Sequence, residues 1–203
     1  MDTESGTATK RGAEARERLV NAAADLFWRQ GFSATSLAEI GIAAGIPLGN
    51  IYYYFRSKAA LADAVAAMME EQMQAALTEL AAFYADPRER LLALVELLEG
   101  SVSIRAVQGC PIRRAAADFR IPAPDASARA GKVLADMETW LATQLGAAGL
   151  SQEEAQNRAT EALALWQGGI ALAESRQEEG PLLEALTAMR RRLSAPPSDA
   201  LPV

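Results

Sequence analysis

Apolar residues in this chain recur every three or four positions almost from end to end, which is the repeat of an α-helix and not the two-residue repeat of a strand. The first run shows it: Ala15, Leu19, Ala22, Ala23, Leu26 and Phe27 form one apolar stripe, with Glu14, Arg18, Asp25 and Arg29 on the other faces. The same segments are rich in Ala, Leu, Glu and Arg, which favour helix by propensity. An all-α fold is expected, and 203 residues allow one large or two modest domains.

Punctuation divides the run into elements. Gly31 ends the first helix as a C-cap. Ser36 with Glu39 is a capping box opening a second, which Gly45-Ile46-Pro47 breaks early. A third short helix spans 48–55, and Ser57 caps a long one over 58–84. Asp86-Pro87 begins a helix expected to reach 107. After Gly109-Cys110-Pro111 come a short helix over 112–119, a proline loop at 121–124 and a helix over 125–145. Ser151 with Glu154 opens a helix to about 179, and the last covers 182–193.

Composition narrows the function. Half the residues are apolar and 23% are charged, the balance of a chain that buries a core. No apolar run approaches the roughly 20 residues needed to span a bilayer, and the polar N-terminus lacks a signal-peptide stretch. A lone cysteine, Cys110, builds no intrachain disulfide. A cytoplasmic protein without membrane association is expected. There is no histidine and no Gly-rich phosphate loop, and the pairs Glu70-Glu71, Glu153-Glu154 and Glu178-Glu179 read as solvated helix faces. Neither enzyme activity nor a metal or cofactor is expected.

The net charge of −6 argues against a nucleic-acid partner until its distribution is considered. Residues 1–60 carry seven basic and six acidic side chains, so the excess acid lies in the rest of the chain. Residues 36–55 then supply a short capped helix, a Gly-containing turn and a second short helix, the helix-turn-helix arrangement whose second helix enters a major groove. On that helix Ile51 and Phe55 lie four apart and pack inward with Ile40 and Leu37. Gly49, Asn50 and Tyr53 face out, with Tyr52 and Tyr54 at the edges.

Thr35-Ser36-Leu37-Ala38-Glu39-Ile40, Ala44-Gly45-Ile46 and above all Gly49-Asn50-Ile51-Tyr52-Tyr53-Tyr54-Phe55-Arg56-Ser57-Lys58 resemble the DNA-binding domain of the TetR/AcrR repressor family over about residues 16–61. The resemblance implies a homodimer whose third helix reads a double-stranded operator and whose C-terminal part binds a small molecule that weakens DNA binding. By position, Ser36, Tyr52, Tyr53 and Lys58 would contact phosphates and Gly49 and Asn50 would approach base edges, with Thr35, Tyr54 and Arg16 completing the set. Hydroxyls and an ammonium suit phosphates, and an Asn amide suits adenine. Pro47-Leu48 departs from the Ser or Thr cap and polar residue of many relatives. Lys10 and Arg11 belong either to a DNA-reaching arm or to a solvated one.

Four segments are expected: a flexible arm at 1–12, a three-helix DNA-binding domain at 13–57, an effector-binding and dimerisation bundle at 58–194, and a disordered, proline-bearing tail at 195–203. Ala159, Leu163, Trp166, Ile170, Leu182, Leu186 and Met189 are candidates for a dimer interface, with intrachain core as the alternative. Dimerisation would set two recognition helices roughly 34–36 Å apart on a pseudo-palindrome. Phe83, Leu94, Leu98, Val102, Cys110, Met137, Trp140 and Trp166 are candidates to line an effector cavity, or to fill a core. Cys110, near Arg113 and Arg114, is either a reactive sensor or an inert buried thiol. The function expected is a ligand-responsive regulator, a repressor released from its operator. The alternative is a helical protein-interaction module without specific DNA binding, separable by the salt dependence of binding to duplex.

Overall fold

The computed structural model describes the backbone of residues 3–196 and the side chains of residues 11–196. Among them are ten helices and no strand: α1 (Thr3–Gln30), α2 (Leu37–Ala44), α3 (Leu48–Tyr54), α4 (Lys58–Phe83), α5 (Pro87–Glu99), α6 (Val102–Gln108), α7 (Pro111–Asp118), α8 (Pro124–Ala147), α9 (Gln152–Arg176) and α10 (Gly180–Ser194). None is long and apolar enough to cross a membrane. Two boundaries depart from the sequence expectation. The anticipated arm at 1–12 is helical from Thr3 onward, as the N-terminal part of α1. The helix anticipated over 87–107 breaks at Gly100 and Ser101, where the Ser101 hydroxyl donates to the Leu98 carbonyl at 2.8 Å.

The chain packs as two compact units, Met1–Glu70 with Pro111–Lys132, and Glu71–Cys110 with Val133–Val203. A division at 57/58 was expected; instead the first unit takes in the start of α4, all of α7 and the start of α8. The segment around α7 joins it through a triangle of rings: Phe27, Phe32 and Phe119 meet with centroids 5.1–5.7 Å apart, in the tilted and edge-on geometries that aromatic quadrupoles favour. Asp118 reinforces it by accepting the Phe32 N–H at 3.2 Å. Leu19, Ala23, Ile40, Ile51, Leu61 and Val65 fill the rest of this core.

In the second unit α9 and α10 pack along their lengths, with α5 against α10 and α6 against α9. Gly169 permits the α9–α10 crossing, because a side chain there would overlap the Ala185 methyl and press on Leu182. Arg158, 1% exposed, fastens the end of α10: its guanidinium donates to Glu154 at 2.5 Å and to the Ala195 and Pro196 carbonyls, each at 2.6 Å. The anticipated disordered tail at 195–203 is therefore held at its first two residues, and 197–203 lie outside the described residues.

Candidate nucleic-acid interface

Local chemistry sets the geometry of α2 and α3. Ser36 is extended (φ −97°, ψ 155°), and its Oγ accepts the Glu39 N–H at 3.2 Å. The Glu39 carboxylate in return accepts the Ser36 N–H and hydroxyl, both at 2.7 Å. Those bonds hold the Glu39 pKa below the ordinary carboxylate value, and Gln30 and, more weakly, Lys58 add to the effect. At the other end Gly45 takes the left-handed conformation (φ 65°), which lets the Ile46 N–H reach back to the Gly41 carbonyl at 2.8 Å. Gly41 itself is where α3 comes closest: a Cβ there would lie 2.7 Å from the Ile46 carbonyl oxygen and 2.9 Å from Ile51 Cδ1.

That turn fixes how α3 presents its faces. Ile51 is fully buried and Phe55 nearly so, with the Arg16 guanidinium 5.0 Å from the Phe55 ring centroid. On the opposite side Tyr53 is 85% exposed, Tyr52 is 54% exposed, and Gly49 and Asn50 are open to solvent. Tyr54 is half-buried against the core and meets Tyr53 edge-on at 5.1 Å. An exposed apolar rim accompanies them: Leu48 and, on α2, Ile42, which is 82% exposed. Ile42 was not singled out in the sequence, where one apolar residue on an amphipathic helix carries no mark of exposure.

Three residues of the expected DNA-contacting set have internal work. Thr35 is 1% exposed and its hydroxyl donates to the Gly31 carbonyl at 2.7 Å, so it is a turn brace and not a surface contact. The Ser36 hydroxyl is committed to Glu39. The half-buried Lys58 ammonium donates to the Phe32 and Thr35 carbonyls at 2.7 and 2.8 Å and lies 4.3 Å from the Phe32 ring centroid. Partial burial lowers its pKa, opposed by the charge of Glu39.

The second unit also revises its candidates. Leu94, Leu98, Val102, Cys110, Met137 and Trp166 are buried and Trp140 is half-buried. Phe83 is 86% exposed, on a surface groove with Leu80, Tyr84 and Leu97, and so does not line an interior site. Of the expected dimer stripe, Ala159, Trp166, Ile170, Leu182, Leu186 and Met189 are buried within their own chain and Leu163 is half-buried. The apolar surface of these helices is instead an open groove of about 560 Å³ that includes Ala164, Leu165, Gly168, Leu172, Pro181 and Ala185.

Comparison with known proteins agrees with this geometry. Residues 19–65 match the family described as bacterial regulatory proteins, tetR family. Residues 87–188 match the LmrA/YxaF-like transcriptional regulator C-terminal domain. The chain is 26% identical to the HTH-type transcriptional regulator LmrA of Bacillus subtilis (strain 168), over 84% of this chain and 92% of that protein. It is 28% identical to the uncharacterized HTH-type transcriptional regulator YxaF of the same organism, over 86% and 92%. A TetR-family transcriptional regulator from Agrobacterium tumefaciens has the same fold, with a TM-score of 0.77 at 22% identity, over 89% of this chain and 98% of that one. With a braced helix-turn-helix, an all-helical second unit and both family patterns in register, this chain belongs to the TetR/AcrR family of transcriptional regulators, proteins that bind DNA and act as dimers.

Proposed function

We propose that this protein is a ligand-responsive repressor: as a homodimer it holds a pseudo-palindromic operator through two copies of α3, and a small effector bound in the second unit releases it. The outer face of α3 carries the reading. Tyr52 and Tyr53 stand in solvent on a helix anchored by a fully buried Ile51, and neighbouring exposed aromatics mark a surface that another molecule covers. Their hydroxyls serve phosphates, Asn50 reads a base edge, and Gly49, with no Cβ, lets the backbone come close to the groove floor. Arg16, its guanidinium over the Phe55 ring, adds an exposed cation at the C-terminal end of α3. Ser36, Thr35 and Lys58 act chiefly by shaping the turn that presents α3, and Lys58 keeps one N–H for a phosphate beyond the two given to carbonyls.

The second copy is placed on the groove that includes Leu165, Gly168, Leu172 and Pro181, because this is the apolar surface that α9 and α10 leave outside. The test is selection from a library of short duplexes by the full-length protein at two salt concentrations. Retention of a two-fold-related site, with affinity falling steeply as salt rises, supports the reading. No enrichment at either salt overturns it in favour of a protein-interaction module.

A further inference from the structure

The second unit buries a group of polar atoms that the fold itself leaves unpaired. Arg105, in the last turn of α6, donates its Nε–H to Ser101 Oγ at 2.8 Å and hydrogen-bonds Cys110, yet its Nη1 is buried without a partner among the described residues. Its guanidinium lies 5.2 Å from the ring centroid of Trp166 on α9. Trp166 is fully buried, and its indole N–H has no acceptor among the described residues. One residue further on, both amide atoms of Gln167 are buried and unpaired.

The contrast with Arg158 makes this informative. That buried guanidinium is given a carboxylate and three carbonyls by its own chain, with only Nε left over. Arg105 is given no carboxylate; a serine hydroxyl and a thiol are weak acceptors for a charge that arginine does not shed. Burial opposes its charge, and Cys110 offsets that only in part. A guanidinium over an indole, each with a buried N–H that lacks an acceptor among the described residues, supplies two donors for an oxyanion. Val102 and Ala106 on α6 and Ile170 and Ala173 on α9 are buried and apolar, and Gln108, three residues beyond Arg105 on α6, buries its amide oxygen.

We propose that this cluster is the anchoring end of the effector site and takes the carboxylate of a small, otherwise apolar molecule. Arg105 Nη1 and Trp166 Nε1 donate to the carboxylate. This deepens, and rests on, the effector-responsive reading above.

The test uses the full-length protein carrying Trp28→Phe and Trp140→Phe, so that indole emission comes from Trp166. It is titrated with benzoate, 2-naphthoate and octanoate and with the corresponding primary amides, with calorimetry as a second readout. At least one carboxylate is expected to bind and to perturb the emission, with its amide about tenfold weaker or worse. Arg105→Gln should abolish that preference while leaving amide binding unchanged. Binding by none of the three acids, equal binding of acid and amide, or a preference that survives Arg105→Gln overturns the site; the acid-to-amide comparison needs no Arg105 variant to fold. Operator retention is measured separately. An acid that binds with its Arg105 preference but leaves the DNA held overturns ligand release, not the carboxylate site.

Discussion

The two units dispose of polar side chains in opposite ways. In the first, the polar groups at the turns are paired internally, Thr35 with Gly31, Ser36 with Glu39 and Lys58 with two carbonyls, while the large side chains Tyr52, Tyr53, Ile42 and Leu48 are left outside. In the second, polar atoms of Arg105, Trp166 and Gln167 are buried without partners among the described residues. A surface that must meet a duplex needs rigidity beneath it, so its hydrogen bonds are spent on bracing and its recognition groups stand in water. A site for a small molecule is built from within, and there the unpaired buried atom, not the exposed one, is the marker.

The largest test of that contrast is Ile170→Ala. Ile170 is fully buried within its own chain, so the substitution should cost about 2–5 kcal/mol of folding stability, read by denaturant unfolding. A variant whose fold is intact and whose dimer alone weakens would return this stripe to the subunit interface. Glycines sharpen the comparison one step down. Gly169→Ala in the second unit and Gly41→Ala in the first both force a Cβ into occupied space and should each cost about 1–3 kcal/mol. Gly168→Ala meets nothing within 4 Å in its own chain and should stabilise α9 by up to about 1 kcal/mol wherever no second copy lies against it. Equal melting shifts for Gly168→Ala and Gly169→Ala would break the assignment of their two faces.

The residues that misled show where sequence reading stops. The Ser36–Glu39 box, the cap at Gly31 and the break at Gly45 were legible because helix ends are settled within about four residues. Periodicity tells which face of α9 is apolar but not what covers it, so Ala159, Trp166 and Ile170 read as an interface when α10 and α6 of the same chain use them. Thr35 failed for the same reason at smaller scale, since a hydroxyl beside a capping position gives no sign of pointing inward. Phe119 joins Phe27 and Phe32 across almost 90 residues, beyond any local pattern, and with it α7 passes to the first unit. Phe83 ends α4 on a surface, where an aromatic looks no different in sequence from one in a core.

Lys58 and Tyr53 separate bracing from contact. Lys58→Met removes an ammonium shared by two carbonyls and should lower stability by about 1–2 kcal/mol, with DNA affinity falling as a consequence. Tyr53→Ala should leave the melting temperature within about a degree and weaken operator binding by about tenfold, the worth of one good phosphate hydrogen bond. Thermal melts and operator titrations on both variants decide. If Lys58→Met melts like the parent while its salt slope falls, Lys58 belongs with Tyr53 among the contacts.

The smallest effect lies in the capping box and is a matter of sign. Glu39 accepts two hydrogen bonds from Ser36 in the folded chain, which keeps its pKa below the ordinary glutamate value that the unfolded chain restores. As pH falls between the two values, the unfolded state takes up a proton that the folded state still refuses, and folding loses stability. The contribution is therefore complete above the unfolded glutamate pKa, about 4.3, and disappears as pH falls through the lower folded value. Glu39→Gln cannot titrate, so the difference in melting temperature between parent and variant should be constant near neutrality and shrink on acidification. The carboxylate is exposed, so the change will be slight. A difference that stays flat through the acid range would mean that the paired polar groups of the first unit are incidental to how firmly α3 is held, and the contrast with the second unit would lose its first half.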